Sequence, residues 1–138
     1  MVFNERTLNI WHVTREYAGI AEAGGVKNVA CSLAEGFVKQ GSKCTVFIPF
    51  YGCTMMKRLS KITELSSSIA AIICGDSIYR VAYGQAEVNG VRIIFVMHRI
   101  FTEKNSVYVY TSEDEQKNPE FIRGAGHKDA NIMNTVFQ

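Results

Sequence analysis

"EAGGVKNVA", residues 22–30, joins a compact apolar run on its left to a helix-like pattern on its right. Gly24 and Gly25 stand where the two meet, and no hydroxyl or carboxylate caps the helix that follows. The first amide groups of a helix lack internal partners and carry the positive end of its dipole, so an anion can replace the missing cap. Glycine gives such an anion close access to the backbone and takes positive φ cheaply. Spacing alone leaves two explanations standing. Either a phosphate approaches this turn, or the pair makes a tight strand-to-helix turn or lets helix and sheet pack closely.

To the left, Leu8 to Thr14 reads as a buried parallel strand, followed by a loop from Arg15 to Gly24. To the right, Val26, Val29, Ala30, Leu33 and Phe37 recur at helical steps, with Lys27, Glu35 and Lys39 off that stripe. Gly41 is placed as the residue just past the helix, and Lys39 suits the negative end of the dipole. Lys43 to Pro49 then predicts a second buried strand, which completes one βαβ unit. The fold class is α/β.

Farther on, the apolar run Ile69 to Cys74, the Gly75-Asp76 turn, the loosely alternating Ile78 to Val88, the Asn89-Gly90 pair and the strand-like Val91 to Met97 predict a β-hairpin feeding a third buried strand. Met97 and His98 should reach the sheet edge where Thr14 and Pro49 end, the edge at which open α/β sheets hold ligands. Ala130, Met133, Val136 and Phe137 again have helical spacing, and nothing after them resembles a helix stop.

Composition narrows the function classes. The chain has 138 residues, 47% hydrophobic and 20% charged, which suits one soluble globular unit. Its 15 basic and 13 acidic residues leave a net charge of +2, too small to imply nucleic acid or a membrane surface. The opening MVFNERTLNIWHV fits neither a signal peptide nor a membrane span, so a cytoplasmic protein is expected. Cys31, Cys44, Cys53 and Cys74 have no metal-ligand spacing and are expected as free thiols, with no metal. Neither GxGxxG nor GxxxxGK[ST] occurs at the glycine turn, which argues against dinucleotide and P-loop chemistry.

The stretch "HVTREYAGIAEAGGVKNVACSLAEGFVKQGSKCTVFIPFYG", His12 to Gly52, resembles the N-terminus of bacterial glycogen and starch synthases. Gly24, Gly25, Val26, Asn28 and Val29 stand in that family's K-x-G-G-[LV]-x-[DN]-V stretch, and Pro49, Tyr51 and Gly52 in its P-x-Y-G signature. The resemblance implies a partial Rossmann-like parallel sheet with an inserted β-hairpin, residues 1–138 being the start of the first domain of a two-domain GT-B retaining glucosyltransferase. It implies a nucleotide-sugar donor, ADP-glucose or UDP-glucose, an α-1,4-glucan acceptor, and no cofactor or metal. Gly24 and Gly25 carry over as donor contacts; no catalytic residue does.

Glu22 replaces the family's phosphate-neutralising lysine. A carboxylate that close to a diphosphate repels it by about 1 to 4 kcal/mol, depending on local dielectric. Three outcomes are open: Lys27 or Arg15 compensates, Glu22 points away, or donor binding is weakened. The family's histidine-bearing glucan cleft and second domain have no counterpart within 138 residues. The isolated chain is therefore expected to be inactive, to expose an apolar edge or helix face, and to self-associate or pair with a missing C-terminal half. The alternative is a non-catalytic α/β module, a degenerate or split remnant that binds a phosphorylated ligand or a partner.

Other residues weigh toward structural roles. His98 with Arg99 at a strand end, His12 beside Arg15 and Glu16, and His127 with Asp129 each suit a satisfied histidine or a helix cap better than acid/base chemistry. Tyr108 and Tyr110 fit an edge strand as well as a sugar platform, and residues 111–117 read as a solvated loop.

Overall fold

The computed structural model describes residues 7–108, 112–117 and 137, without the side chains of 66–68, 114, 115 and 117. Strands β1 (Asn9–Val13), β2 (Lys43–Pro49), β3 (Ser60–Cys74), β4 (Ser77–Val88) and β5 (Val91–Met97) form one sheet in the order β1-β2-β5-β4-β3. Helix α1 (Val26–Lys39) connects β1 to β2, and the short helices α2 (Arg99–Thr102) and α3 (Ser112–Lys117) follow β5. β1, β2 and β5 run parallel, so Val13, Pro49 and Met97 finish at one edge as their spacing predicts.

Local chemistry fixes the joints. Gly41, at φ 85°, ends α1: its N–H donates to the Val38 carbonyl at 3.0 Å and that of Ser42 to the Phe37 carbonyl at 3.0 Å. These are the two bonds of a Schellman ending, which satisfy carbonyls the helix leaves free. Asn89 and Gly90 both take positive φ, 46° and 79°, as a two-residue type I′ hairpin requires.

The sheet is mixed. β4 pairs antiparallel with β5 and β3 with β4, so the hairpin extends the parallel strands at one side. β3 also begins at Ser60, well before the apolar run at Ile69, and it carries two register irregularities. Its first half, "SKITELSSS", lacks the apolar density by which buried strands are recognised, because it lies on an outer strand.

Cys44, Val46 and Ile48 of β2, with Ile93 and Phe95 of β5, are buried in the core. α1 packs on these strands through Ala30 and Ala34, one turn apart, whose small side chains permit close approach. The predicted apolar stripe is wider than this contact: Val26, Val29 and Leu33 are exposed. Leu8, Trp11 and Val13, on and beside edge strand β1, are exposed too, which gives the expected uncovered apolar surface a definite place. Glu35, predicted as an off-stripe helix charge, is instead half-buried and engaged. It accepts from the Tyr17 hydroxyl at 3.3 Å, the Cys31 thiol at 3.2 Å and Arg58 at 3.0 Å.

Residues 112–117 form α3 where a loop was predicted. His127, Asp129, Tyr110 and most of the predicted final helix lie outside the described residues. All four cysteines are free; Cys44 is buried and the others are partly so. Among the described residues no helix is long and apolar enough to cross a membrane.

Candidate functional site

The turn between β1 and α1 is built from the strand end outward. Thr14 extends the parallel pairing, its N–H donating to the Phe47 carbonyl at 3.0 Å, and its buried hydroxyl donates to the Glu16 carbonyl at 2.9 Å. Tyr17 and Ala21 bond each other's backbone at 2.9 and 3.0 Å around Gly19, at φ 75°, which buries Tyr17, Ile20 and Ala21 in the core. The Ala18 N–H donates to the Lys27 carbonyl at 3.2 Å and ties this loop to the first turn of α1.

Glu16 folds back beneath the glycines. Its Oε2 accepts from the Gly24 N–H at 2.6 Å and the Ala23 N–H at 3.1 Å, and its Oε1 accepts from the Tyr108 hydroxyl. Burial pushes the Glu16 carboxyl up, but the bonds from Tyr108, Gly24 and Ala23, with the Lys27 backbone amide, outweigh it and hold the group below its usual range. The expectation that the turn's amides await an external anion is therefore corrected: Ala23 and Gly24 are occupied by the protein's own carboxylate. The missing helix cap comes from earlier in the chain. Nothing in the spacing showed this acid turning back, although an uncapped helix start is itself a reason to look for a remote acceptor.

The remaining predicted site residues gather around this core. Gly25 is the N-cap of α1 at φ −76° and has no side chain of its own to cap the helix, so the capping oxygen is that of Glu16. Glu22 accepts from the Gly19 N–H at 2.8 Å and pairs with Lys27 at 3.5 Å, so this acid is held by its neighbours and Lys27 is engaged with it. Arg15 lies over the Tyr108 ring, 5.1 Å from its centroid. The Tyr51 phenol is pushed up to about 12 by burial, and Arg15 opposes part of that rise without reaching hydrogen-bond geometry. Sequence reasoning named Glu16 only beside His12 and Arg15, Tyr51 only within the P-x-Y-G signature and Tyr108 as a sugar platform or edge strand, and joined none of them to the glycine turn.

Among the described residues, nothing requires either glycine of the pair. Gly24 and Gly25 are absent from the positive-φ positions, and a Cβ on Gly25 would meet nothing within 4 Å among the described residues. A Cβ on Gly24 would meet only the Glu16 carboxylate, at 3.6 and 3.9 Å, ordinary contact distances. The turn keeps bare backbone where the described chain would accommodate a side chain.

His98 stands at the same sheet edge, and its Nδ1 accepts from the Ile100 N–H at 3.1 Å as the N-cap of α2. Burial and then the Arg99 charge lower its pKa, in the direction that favours the neutral ring this acceptor bond uses. It is the satisfied structural histidine its position suggested. His12 lies within β1, opposite Val46, and is half-buried.

Comparison with known proteins agrees with this placement. Residues 9–135 match the family model of the starch synthase catalytic domain. No curated protein matches the chain significantly. Among solved structures, 11 chains match. One is the catalytic domain of starch synthase IV from Arabidopsis thaliana bound to ADP and acarbose, at TM-score 0.69 and 19% identity, covering 93% of this chain and 26% of that one. The chain thus spans about a quarter of the length of that structure and shares its fold.

Proposed function

The chain belongs to the starch synthase catalytic domain family, a family of glycosyltransferases, and from that premise we propose that residues 1–138 form the N-terminal part of the first Rossmann-like domain of a GT-B glucosyltransferase. Such an enzyme moves glucose from ADP-glucose, or UDP-glucose, to the non-reducing end of an α-1,4-glucan in the cytoplasm. The observation that carries the proposal is the Gly24-Gly25 pair. Its missing side chains serve neither positive φ nor close packing among the described residues, and it lies at the carboxyl edge of parallel strands where α/β sheets receive ligands. Gly25 is the point of closest donor approach, and Lys27, shared with Glu22, moderates the acid that replaces the family's lysine.

Retaining transfer needs donor, acceptor and stabilisation of the leaving diphosphate assembled together, and this chain supplies one wall of such a cleft. Turnover belongs to an assembly that includes the rest of the fold. Titration of the chain with ADP-glucose, followed by amide NMR, should move the signals of Gly25 and Val26 first. Gly25→Val should abolish those shifts while leaving the remaining spectrum intact. No shift in residues 24–27 of the wild-type chain at millimolar donor overturns the proposal.

The alternative of a non-catalytic module draws on a specific observation. Glu16 and Glu22 both hold backbone amides of this turn, which makes it a poorer receptor for a second anion. Glucan extension from ADP-glucose by the chain mixed with a C-terminal fragment of a starch synthase would exclude that alternative. Sustained inactivity of the mixture, with donor binding intact, would favour it.

A further inference from the structure

Ala23 and Gly24 present two amides at the mouth of α1, and one carboxylate oxygen takes both. The other oxygen is held by the Tyr108 hydroxyl, and the Glu16 side chain is buried rather than loosely placed. Arg15 stacks on Tyr108 and Lys27 is drawn toward Glu22, so the nearby positive charge is distributed among groups already in contact. On the other side of the same turn a Cβ on Gly25 would meet nothing within 4 Å among the described residues. The turn therefore has two unlike faces, one filled from within and one bare.

We propose that Glu16 is a specificity-determining positioning residue: it fills the Ala23 and Gly24 amides as a built-in anion, so that a phosphate-bearing ligand engages the turn only on its Gly25 face. This rests on the reading that such a ligand approaches the turn, and it adds which amides the ligand uses. A phosphate cannot share those two donors with a buried carboxylate, because both anions seek the same hydrogens and repel each other at that separation. The ligand meets the Gly25 and Val26 amides instead, with the fixed Glu16 charge, which also draws on the Lys27 amide, behind them. Glu16 thereby sets both the ligand's position and an upper limit on how much negative charge the turn tolerates.

The test uses the full chain with pyrophosphate as probe, comparing wild type with Glu16→Gln by calorimetry and by amide NMR. The glutamine keeps the size of the side chain and an acceptor oxygen but removes the charge. Pyrophosphate should bind Glu16→Gln at least about fivefold tighter, the low end of the repulsion between charges a few ångströms apart. In the variant the Ala23 and Gly24 signals should respond; in wild type the response should begin at Gly25. A purely structural Glu16 gives the opposite sign, because a loosened turn binds more weakly. Equal or weaker binding by the variant, or no binding to either protein, overturns the proposal. If the variant does not fold, the wild-type spectrum decides alone, and shifts at Ala23 and Gly24 as large as those at Gly25 overturn it. An ADP-glucose arm separates the two claims. Donor shifts at Gly25 without tighter pyrophosphate binding in the variant sink only the role of Glu16, whereas tighter pyrophosphate binding without any donor shift sinks only the sugar-donor reading.

Discussion

The turns that follow β1 and β2 leave the sheet at the same edge, and each contains glycine that the family resemblance singles out. After β2, a Cβ on Gly52 would lie 2.7 Å from the carbonyl oxygens of both Thr102 and Lys104, a distance real side chains do not tolerate. After β1, a Cβ on Gly25 would enter open space among the described residues. One glycine is demanded by the backbone beside it, and the other is not. The same residue type at neighbouring strand ends is thus required by packing at Gly52 and by no described neighbour at Gly25, and only coordinates tell the two apart.

Substitution should expose that contrast. Gly52→Ala pushes backbone against backbone and should destabilise the chain by about 1–3 kcal/mol, read as a lower urea midpoint. A wild-type midpoint for this variant would show that the two turns do not differ. Glu16→Ala should come next, because it strips the partner from the Ala23 and Gly24 amides and the Tyr108 hydroxyl, a loss of about 1–3 kcal/mol. Gly25→Ala should change stability by less than about 0.5 kcal/mol while weakening ADP-glucose binding. Loss of stability without loss of binding would reverse the assignment.

The Glu16 carboxyl also gives the β1 turn a pH dependence. Its folded pKa lies below the ordinary glutamate value, so its contribution to stability is present above the unfolded value and is lost as pH falls through the folded one. Thermal melts from pH 6 toward pH 3 should show an acid-side decline that is shallower in Glu16→Gln. Parallel curves for the two proteins would mean that the buried carboxylate is not charged in the folded chain. The smallest expected effect is on the helix surface: Val29→Lys should leave the midpoint within about 0.5 kcal/mol of wild type and reduce self-association in light scattering.

What the sequence made legible was local. The Schellman glycine at Gly41, the Asn89-Gly90 turn and the apolar runs of β1, β2 and β5 depend on neighbours in the chain, and each element stands within a residue or two of its expected place. What escaped depended on distant neighbours. Glu16 beneath Gly24, Tyr108 on Glu16 and Arg58 on Glu35 join parts of the chain whose meeting no periodicity records. The buried side of α1 was legible only in part, since alanine marks close packing more weakly than valine or leucine marks apolarity. The first half of β3 escaped because an outer strand needs no apolar run.

The strand order also bears on how the chain reaches its native state. β3, β4 and β5 are successive neighbours joined by two-residue turns, and their ladders close short loops. β2 must instead enter between β1 and β5, and its pairing with β5 closes a loop of roughly 45 residues before any contact is gained. The meander is thus the natural nucleus and the parallel half the late arrival. Pulsed hydrogen exchange during refolding should protect residues 77–97 ahead of the β1–β2 ladder, and the glycine turn acquires its shape only when β2 has been seated.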